Sequence, residues 1–344
     1  MSPKEYICSC FFKRNIFLKK YKIHVVFENE KQFEQEYRQN LRFKGCTTDT
    51  QYATVLAEVK EEVARRRSFH ESSLANYKDI QSNYERLYPE IWKLKPSFVD
   101  PRFVTISSDA QHKSLDSLLL SLVQNGGHIT ESAVYRLPVF TQEFCQQLVE
   151  ELKQFDKYPG NKSVPNTMNS YGVSLDEMGM SDQLITPLIT DWLQPLAKQL
   201  FDKWVGLSFD SYKAFIVRYD ETGDRELSLH YDNAEVTLNV SLNSDYTGGQ
   251  LQFNGIWGEE DNTKQKTLIG HEVGHGILHC ARQLHSALPI TSGQRYNMVI
   301  WMRSSSVRNH MCPMCGQCPS LVAVPFAGEG FTVPDTQQSD CSCL

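Results

Sequence analysis

Hydrophobic positions follow two rhythms along this 344-residue chain. Before about residue 205 they recur mostly every three or four positions, the spacing of one helical face. From Thr47, with Thr48 or Asp49 able to cap, Leu56, Val59 and Val63 mark a helix whose other face carries Glu58 to Arg67. A second helical stretch is expected through Leu74 to Trp92, ending before Pro96 and Pro101. Thr141 should cap a helix with Phe144, Leu148, Leu152 and Phe155 on one stripe, and another should span roughly Asp182 to Trp204, bent at Pro187 and Pro195. From Lys213 to Trp301 the rhythm changes: apolar segments become short and alternate with polar residues, as in Val236, Leu238, Val240 and Leu242. That is the period of a strand. Short strand candidates also stand earlier, at Ile23–Phe27 and Val134–Phe140.

Short strands divided by Gly-rich turns, at Thr247-Gly248-Gly249 and Ser292-Gly293, predict a double-sheet jelly roll, or double-stranded β-helix, flanked by helices. The expected class is α+β. A helical N-terminal module of unknown role occupies 1–125, Gly126-Gly127 marks the boundary, the jelly-roll domain follows over 126–308 with its core at about 210–305, and 309–344 reads as a Cys-rich irregular tail. Hydrophobic content of 40% and aromatic content of 11% suit a chain that builds a core. A net charge of −6 leaves no global nucleic-acid footprint, and Lys13 to Lys22 reads as the solvated edge of a small module. Arg65-Arg66-Arg67 reads as a helix face rather than a binding patch. No stretch approaches the ~18 apolar residues that span a membrane. The start, Tyr6 to Phe12 followed by Lys13-Arg14, is too short and wrongly flanked for a secretory segment, so an intracellular location, cytoplasmic or nuclear, is expected, with the ten Cys mostly reduced.

The candidate chemistry centres on Leu229-His230-Tyr231-Asp232. In a strand, residues two apart share a face, so His230 and Asp232 aim an imidazole and a carboxylate at one point. His285 follows after a hairpin-like stretch, and Arg295 stands beyond it in Ser292-Gly293-Gln294-Arg295-Tyr296-Asn297. Two His and one carboxylate on one side of a metal leave three positions open, the facial arrangement of non-haem Fe(II) oxygenases. Together, His230-x-Asp232, His285 and Arg295 resemble the 2-oxoglutarate- and Fe(II)-dependent oxygenase superfamily in its prolyl-hydroxylase-like branch. Asn297 departs from the Arg-x-Ser pattern of the plant-type variant. The resemblance implies that His230, Asp232 and His285 hold Fe(2+), that Arg295 anchors the distal carboxylate of 2-oxoglutarate, and that Tyr219 is a further contact to it. It also implies O2 as oxidant, L-ascorbate as the agent that keeps iron ferrous, and a dioxygenase that hydroxylates a Pro- or Lys-type protein side chain with release of succinate and CO2. A protein or peptide substrate is the expected partner; oligomeric state is not legible.

Two other readings compete. A jelly-roll binding module without turnover would need neither the complete triad nor Arg295. A zinc hydrolase would use His271-Glu272-Val273-Gly274-His275, which spells the His-Glu-x-x-His string. Gly270, Gly274 and Gly276 make that segment a poor helix, and no Asp or Glu stands between Glu272 and Glu329 as a third ligand, so His271, His275 and His279 read as edge or rim residues. In the tail, Cys312, Cys315 and Cys318 can hold zinc with a fourth ligand from His310, Cys341 or Cys343, but the spacing lacks the second close pair of a zinc ribbon, which favours thiols in a loose tail. The end, Cys341-Ser342-Cys343-Leu344, follows the prenylation outline only loosely, with Ser342 not aliphatic and an acidic flank.

Overall fold

The computed structural model describes residues 5–130, 132–258, 266–326 and 332–334; Cys341, Cys343 and the prenylation outline lie outside them. Two antiparallel sheets face each other. The larger runs in spatial order through His128–Ile129, Tyr135–Pro138, His275–Cys280, Val236–Ser241, Ile290–Arg303, Ser211–Asp220 and Gly172–Ser174, with Tyr246–Gly248 also paired to Ile290–Arg303. The smaller runs through Thr267–Ile269, Leu251–Ile256, Gln283–Ala287 and Leu227–His230. The strand order is non-sequential in both sheets, as a jelly roll requires. The fold class is α+β.

Alternation along the central strands separates two interiors. Val236, Leu238 and Val240, with Met298, Ile300 and Met302 on the adjacent strand, pack outward into a core shared with the helices. Their alternating neighbours Thr237, Asn239, Val299 and Trp301 line a cavity between the sheets, beside Phe215 and Val217. A polar inner face and an apolar outer face on the same strands follow from the period of two.

The helices close the apolar side. Gln142–Asp156 starts at Thr141, whose side chain accepts from the Phe144 N–H, and buries Phe144, Leu148, Leu152 and Phe155. Over Asp182 to Trp204 the structure is less regular than one bent helix. Ser181–Ile185 and Leu188–Leu193 form wide turns around Pro187, and an α-helix runs only over Gln194–Leu200. Pro lacks the N–H that would complete the regular ladder. In the N-terminal part the two expected helical stretches are one helix, Asp49–Asn83, opened by a capping box between Thr48 and Gln51 and followed by the tight turn Pro89–Trp92. Arg66 is not on its solvated face: it is buried and donates to the carbonyls of Phe11, Arg14 and Asn15. Nor is the described tail wholly irregular, since Leu321–Val324 pairs with Glu5–Cys8. No helix among the described residues is long and apolar enough to cross a membrane.

Leu148, on the helix Gln142–Asp156, is fully buried in the apolar core that the helices share with the larger sheet. Leu148→Ala should lower stability by about 2–5 kcal/mol in urea denaturation, against about 0.5 kcal/mol or less for Gln146→Ala on the exposed side of the same helix.

Candidate metal and co-substrate site

The smaller sheet sets His230 directly opposite His285 on neighbouring antiparallel strands. Their rings lie 4.2 Å apart between centroids. The first of these strands ends at His230, so strand alternation does not act through Asp232. Asp232 is brought round by a turn and held by its N–H, which donates to the Ala281 carbonyl at 2.9 Å. Its Oδ1 stands 3.6 Å from His230 Nε2, and its Oδ2 3.7 Å from His285 Nε2. The ligand atoms of His230, Asp232 and His285 all lie within 4.8 Å of one another.

Each ring is oriented from behind. His230 Nδ1–H donates to the Ser228 carbonyl at 2.8 Å, and His285 Nδ1–H to the Gln283 carbonyl at 2.9 Å. A proton fixed on Nδ1 leaves the Nε2 lone pair facing Asp232, the tautomer that a metal needs. Thr237 Oγ1 donates to Asp232 Oδ2 at 2.7 Å. Burial pushes the Asp232 carboxyl up, but His285, His230, His279 and the Thr237 hydroxyl outweigh it and hold the group below the usual carboxylate range. Burial, helped by His285, pushes His230 down to about 3. A charged carboxylate beside the neutral His230 imidazole is a protonation state in which these groups bind a metal. The donor set therefore fits an iron(II) ion, with one face left to other ligands.

Arg295 lies deeper in the same cavity, on the strand Ile290–Arg303, paired directly with Tyr219. Its guanidinium sits 4.3 Å from the Tyr219 ring centroid, and Nη1 donates to the Gly249 carbonyl. Gly249 permits that approach: a Cβ there would lie 2.9 Å from Nη1, on a left-handed backbone at φ +68°. Arg295 Nη1 also donates to His271 Nε2 at 3.4 Å. Arg295 is 1% exposed, its Nε is without a partner, and no carboxylate pairs with it among the described residues. Burial pulls its pKa down, as expected for a cation without a counter-ion. The Tyr219 hydroxyl accepts from Asn169 Nδ2 at 3.1 Å, and Asn169 is held in turn by Asn166.

Several neighbours were not legible beforehand. His279, read as a rim residue, is 1% exposed, with Nε2 3.9 Å from Asp232 Oδ2 and its ring 4.8 Å from that of His285. It faces the site because it pairs with Thr237 across the larger sheet. Only the strand register carries that information. The His271–His275 string does not form a helical zinc site: Gly274 has φ +79°, a turn precedes the strand His275–Cys280, and His271 turns to Arg295 while His275 approaches Glu272. A second cavity adjoins the first, sharing Asn166, Leu227, His230 and Trp301, and opens past Phe11, Arg14, Met168, Tyr231 and Met314.

A family model for an OGFOD2-like domain matches residues 80–206. The chain is 43% identical over 332 residues to a 2-oxoglutarate and iron-dependent oxygenase domain-containing protein 2 from Xenopus tropicalis, covering 96% of this chain and 95% of the relative. The chain belongs to this family of oxygenases. Its Homo sapiens member is 39% identical over the whole chain and 98% of its own length. A more distant relative, a procollagen lysyl hydroxylase and glycosyltransferase of Acanthamoeba polyphaga mimivirus, is 31% identical over 48% of this chain and 19% of that protein. Among solved structures, a prolyl 4-hydroxylase from Phytophthora capsici overlaps at a TM-score of 0.44 and 17% identity, covering 64% of this chain and 70% of that one.

The buried imidazoles set a pH dependence in this protein. In the metal-free protein His230 is held down to about 3 and His279 to about 4, against about 6.5 in an unfolded chain. The unfolded state therefore takes up protons first, and stability falls as pH drops below about 6.5. Each of these two residues should cost about 2 kcal/mol at pH 5 relative to pH 8. Urea denaturation of metal-free protein across that range should show the fall, and His279→Gln should reduce it.

Proposed function

We propose that this protein is an Fe(II)- and 2-oxoglutarate-dependent dioxygenase that hydroxylates a Pro- or Lys-type side chain of a protein. His230, Asp232 and His285 hold the iron, and Arg295 with Tyr219 holds the co-substrate. The observation that carries the reading is Arg295: a buried guanidinium with no carboxylate partner among the described residues, lining the same cavity as the two imidazoles and the carboxylate. An uncompensated buried cation is costly, and a dicarboxylate whose far end reaches it would remove that cost. The planar guanidinium suits such a carboxylate because it offers paired donors in a fixed fork.

When bound, iron and 2-oxoglutarate supply the oxidising chemistry, converting 2-oxoglutarate and O2 to succinate and CO2 as a C–H bond of the substrate becomes C–OH. The chain supplies position and protonation state. His230 and His285 turn their Nε2 atoms toward Asp232 because their Nδ1–H groups donate to the Ser228 and Gln283 carbonyls. Asp232 stays ionised and is fixed by Thr237 and by the Ala281 carbonyl. Asn169 donates to the Tyr219 hydroxyl, which keeps that oxygen beside the Arg295 end of the cavity. Phe215, Val217, Leu251 and Val299 give the inner cavity an apolar part of its wall. The outer cavity meets the inner one at His230 and Trp301 and offers a route for an extended chain to place one side chain there. A protein substrate is also supported by the relative whose name is that of a procollagen lysyl hydroxylase.

Removing one partner of a desolvated charge pair costs roughly 2–5 kcal/mol. Arg295→Ala should accordingly raise the KM for 2-oxoglutarate by about 30-fold or more, and Arg295→Lys by less, since it keeps the charge and loses the fork. Iron binding measured without co-substrate should be unchanged in both. Equal 2-oxoglutarate affinity in wild type and Arg295→Ala would contradict the anchor role.

Asp232→Ala and His230→Ala should abolish 2-oxoglutarate decarboxylation, measured as succinate release, whereas His275→Ala should keep most of it. The reverse pattern would move the site to the His271–His275 segment.

A further inference from the structure

Apart from the His230, Asp232 and His285 set, one other group of ligand-type side chains converges among the described residues: Cys8, Cys10, Cys312 and Cys315. They come from opposite ends of the chain, as a Cys-x-Cys and a Cys-x-x-Cys. Cys8 closes the strand Glu5–Cys8, and Cys10 sits in the tight turn Ser9–Phe12 that follows it. Cys312 and Cys315 sit in a turn closed twice by backbone: the Gly316 N–H donates to the Cys312 carbonyl at 2.9 Å, and the Cys312 N–H to the Gln317 carbonyl at 2.8 Å. Gly316 completes that turn in the left-handed region at φ +69°. Cys8 and Cys312 are buried and Cys10 and Cys315 half-buried, so the cluster is an interior feature.

The spacing of the sulfurs identifies their use. All four Sγ atoms lie within 4.8 Å of one another, and those of Cys10 and Cys312 are 3.7 Å apart. A disulfide would bring two of them to about 2.05 Å. Four thiolates around a tetrahedral ion, each at about 2.3 Å, stand about 3.8 Å from one another. Thiols are weak donors and weak acceptors, so hydrogen bonding among them gives little reason to gather four. An iron–sulfur cluster spreads its thiolates over separate iron atoms and needs a wider frame. One small, soft, tetrahedral ion fits.

We propose that Cys8, Cys10, Cys312 and Cys315 bind a structural Zn2+ ion that clips the N-terminal strand to the C-terminal segment. Four protein ligands leave no open position, as in structural rather than catalytic zinc sites. The thiols release their protons to solvent as the ion binds. Soft thiolates select zinc, whereas the imidazole and carboxylate set suits iron, so the two sites sort their metals by ligand chemistry. The clip joins segments that meet in a two-stranded sheet of their own, Glu5–Cys8 with Leu321–Val324, a unit that gains from further support. The same segments wall the outer cavity, which Cys8, Cys10, Cys312, Met314 and Leu321 help to line. Cys318, next in the sequence run, is not in the group, because Cys8 and Cys10 complete the tetrahedron instead. The proposal does not depend on the oxygenase reading.

The test uses full-length protein, as wild type and as His230→Ala, with metal content measured by mass spectrometry after gel filtration. Both should retain about one zinc per chain, since the thiolate site is independent of the imidazole site. Replacing zinc by Co2+ should give the intense near-ultraviolet absorption of a tetrathiolate site in both. Cys8→Ser and Cys312→Ser should lose the zinc and that absorption, while Cys318→Ser keeps them. If the two serine variants do not fold, mercurial titration of wild type should release zinc in step with cysteine modification, followed with a zinc dye. Zinc that disappears in His230→Ala would overturn the proposal. So would wild type with neither zinc nor the cobalt signature, or a disulfide among these four cysteines in a non-reducing peptide map. Loss of oxygenase turnover alone leaves every one of these readouts unchanged.

Discussion

The direct pairing of His230 with His285 across the smaller sheet is the constraint on which the rest of the site depends. Strand side chains alternate, so a slip of one residue would carry one imidazole out of the cavity and replace it with Leu229 or Ser286. Register is held from both sides. Phe253 pairs with His285 on the neighbouring strand and stacks on its ring, and Asp232 reaches across to the Ala281 carbonyl just before the His285 strand begins. One chain of backbone pairings thus sets three donors that are separated widely in sequence.

The electrostatics follow from that placement. The larger sheet turns Thr237 and Asn239 toward the cavity and Val236, Leu238 and Val240 toward the helices, so polar support and apolar packing come from the same strand. His285, His230, His279 and the Thr237 hydroxyl together hold Asp232 below the usual carboxylate range, while burial pushes His230 and His279 down. A net negative donor set at one end faces a buried cation at the other. A small molecule with a metal-chelating end and a distant carboxylate is complementary to both ends, and 2-oxoglutarate has that form.

Much of this was visible in the sequence because it depends on local period. The alternation from Val236 to Leu242, the stripe from Phe144 to Phe155 and the Thr141 cap need only neighbours along the chain. The spacing of His230, Asp232, His285 and Arg295 marked residues that the fold brings to one cavity, with Tyr219 opposite Arg295. What was not visible depends on partners far away. His279 faces the site through its register with Thr237, Arg66 is buried by carbonyls of a segment some fifty residues earlier, and Cys8 and Cys10 meet Cys312 and Cys315 through chain ends that pair only when folded. The wide turns at Pro187 lie below the resolution of periodicity, which registers a helical face but not how its ladder is closed.

The central claim is that one cavity binds Fe(II) through His230, Asp232 and His285 and 2-oxoglutarate against Arg295. The most direct measurement is anaerobic titration of the purified protein with Fe(II) and then 2-oxoglutarate, followed by visible absorption. A weak charge-transfer band that grows only when both are present, and saturates at about one of each per chain, is the predicted result. No band in wild type, or the same band in Asp232→Ala, would contradict it.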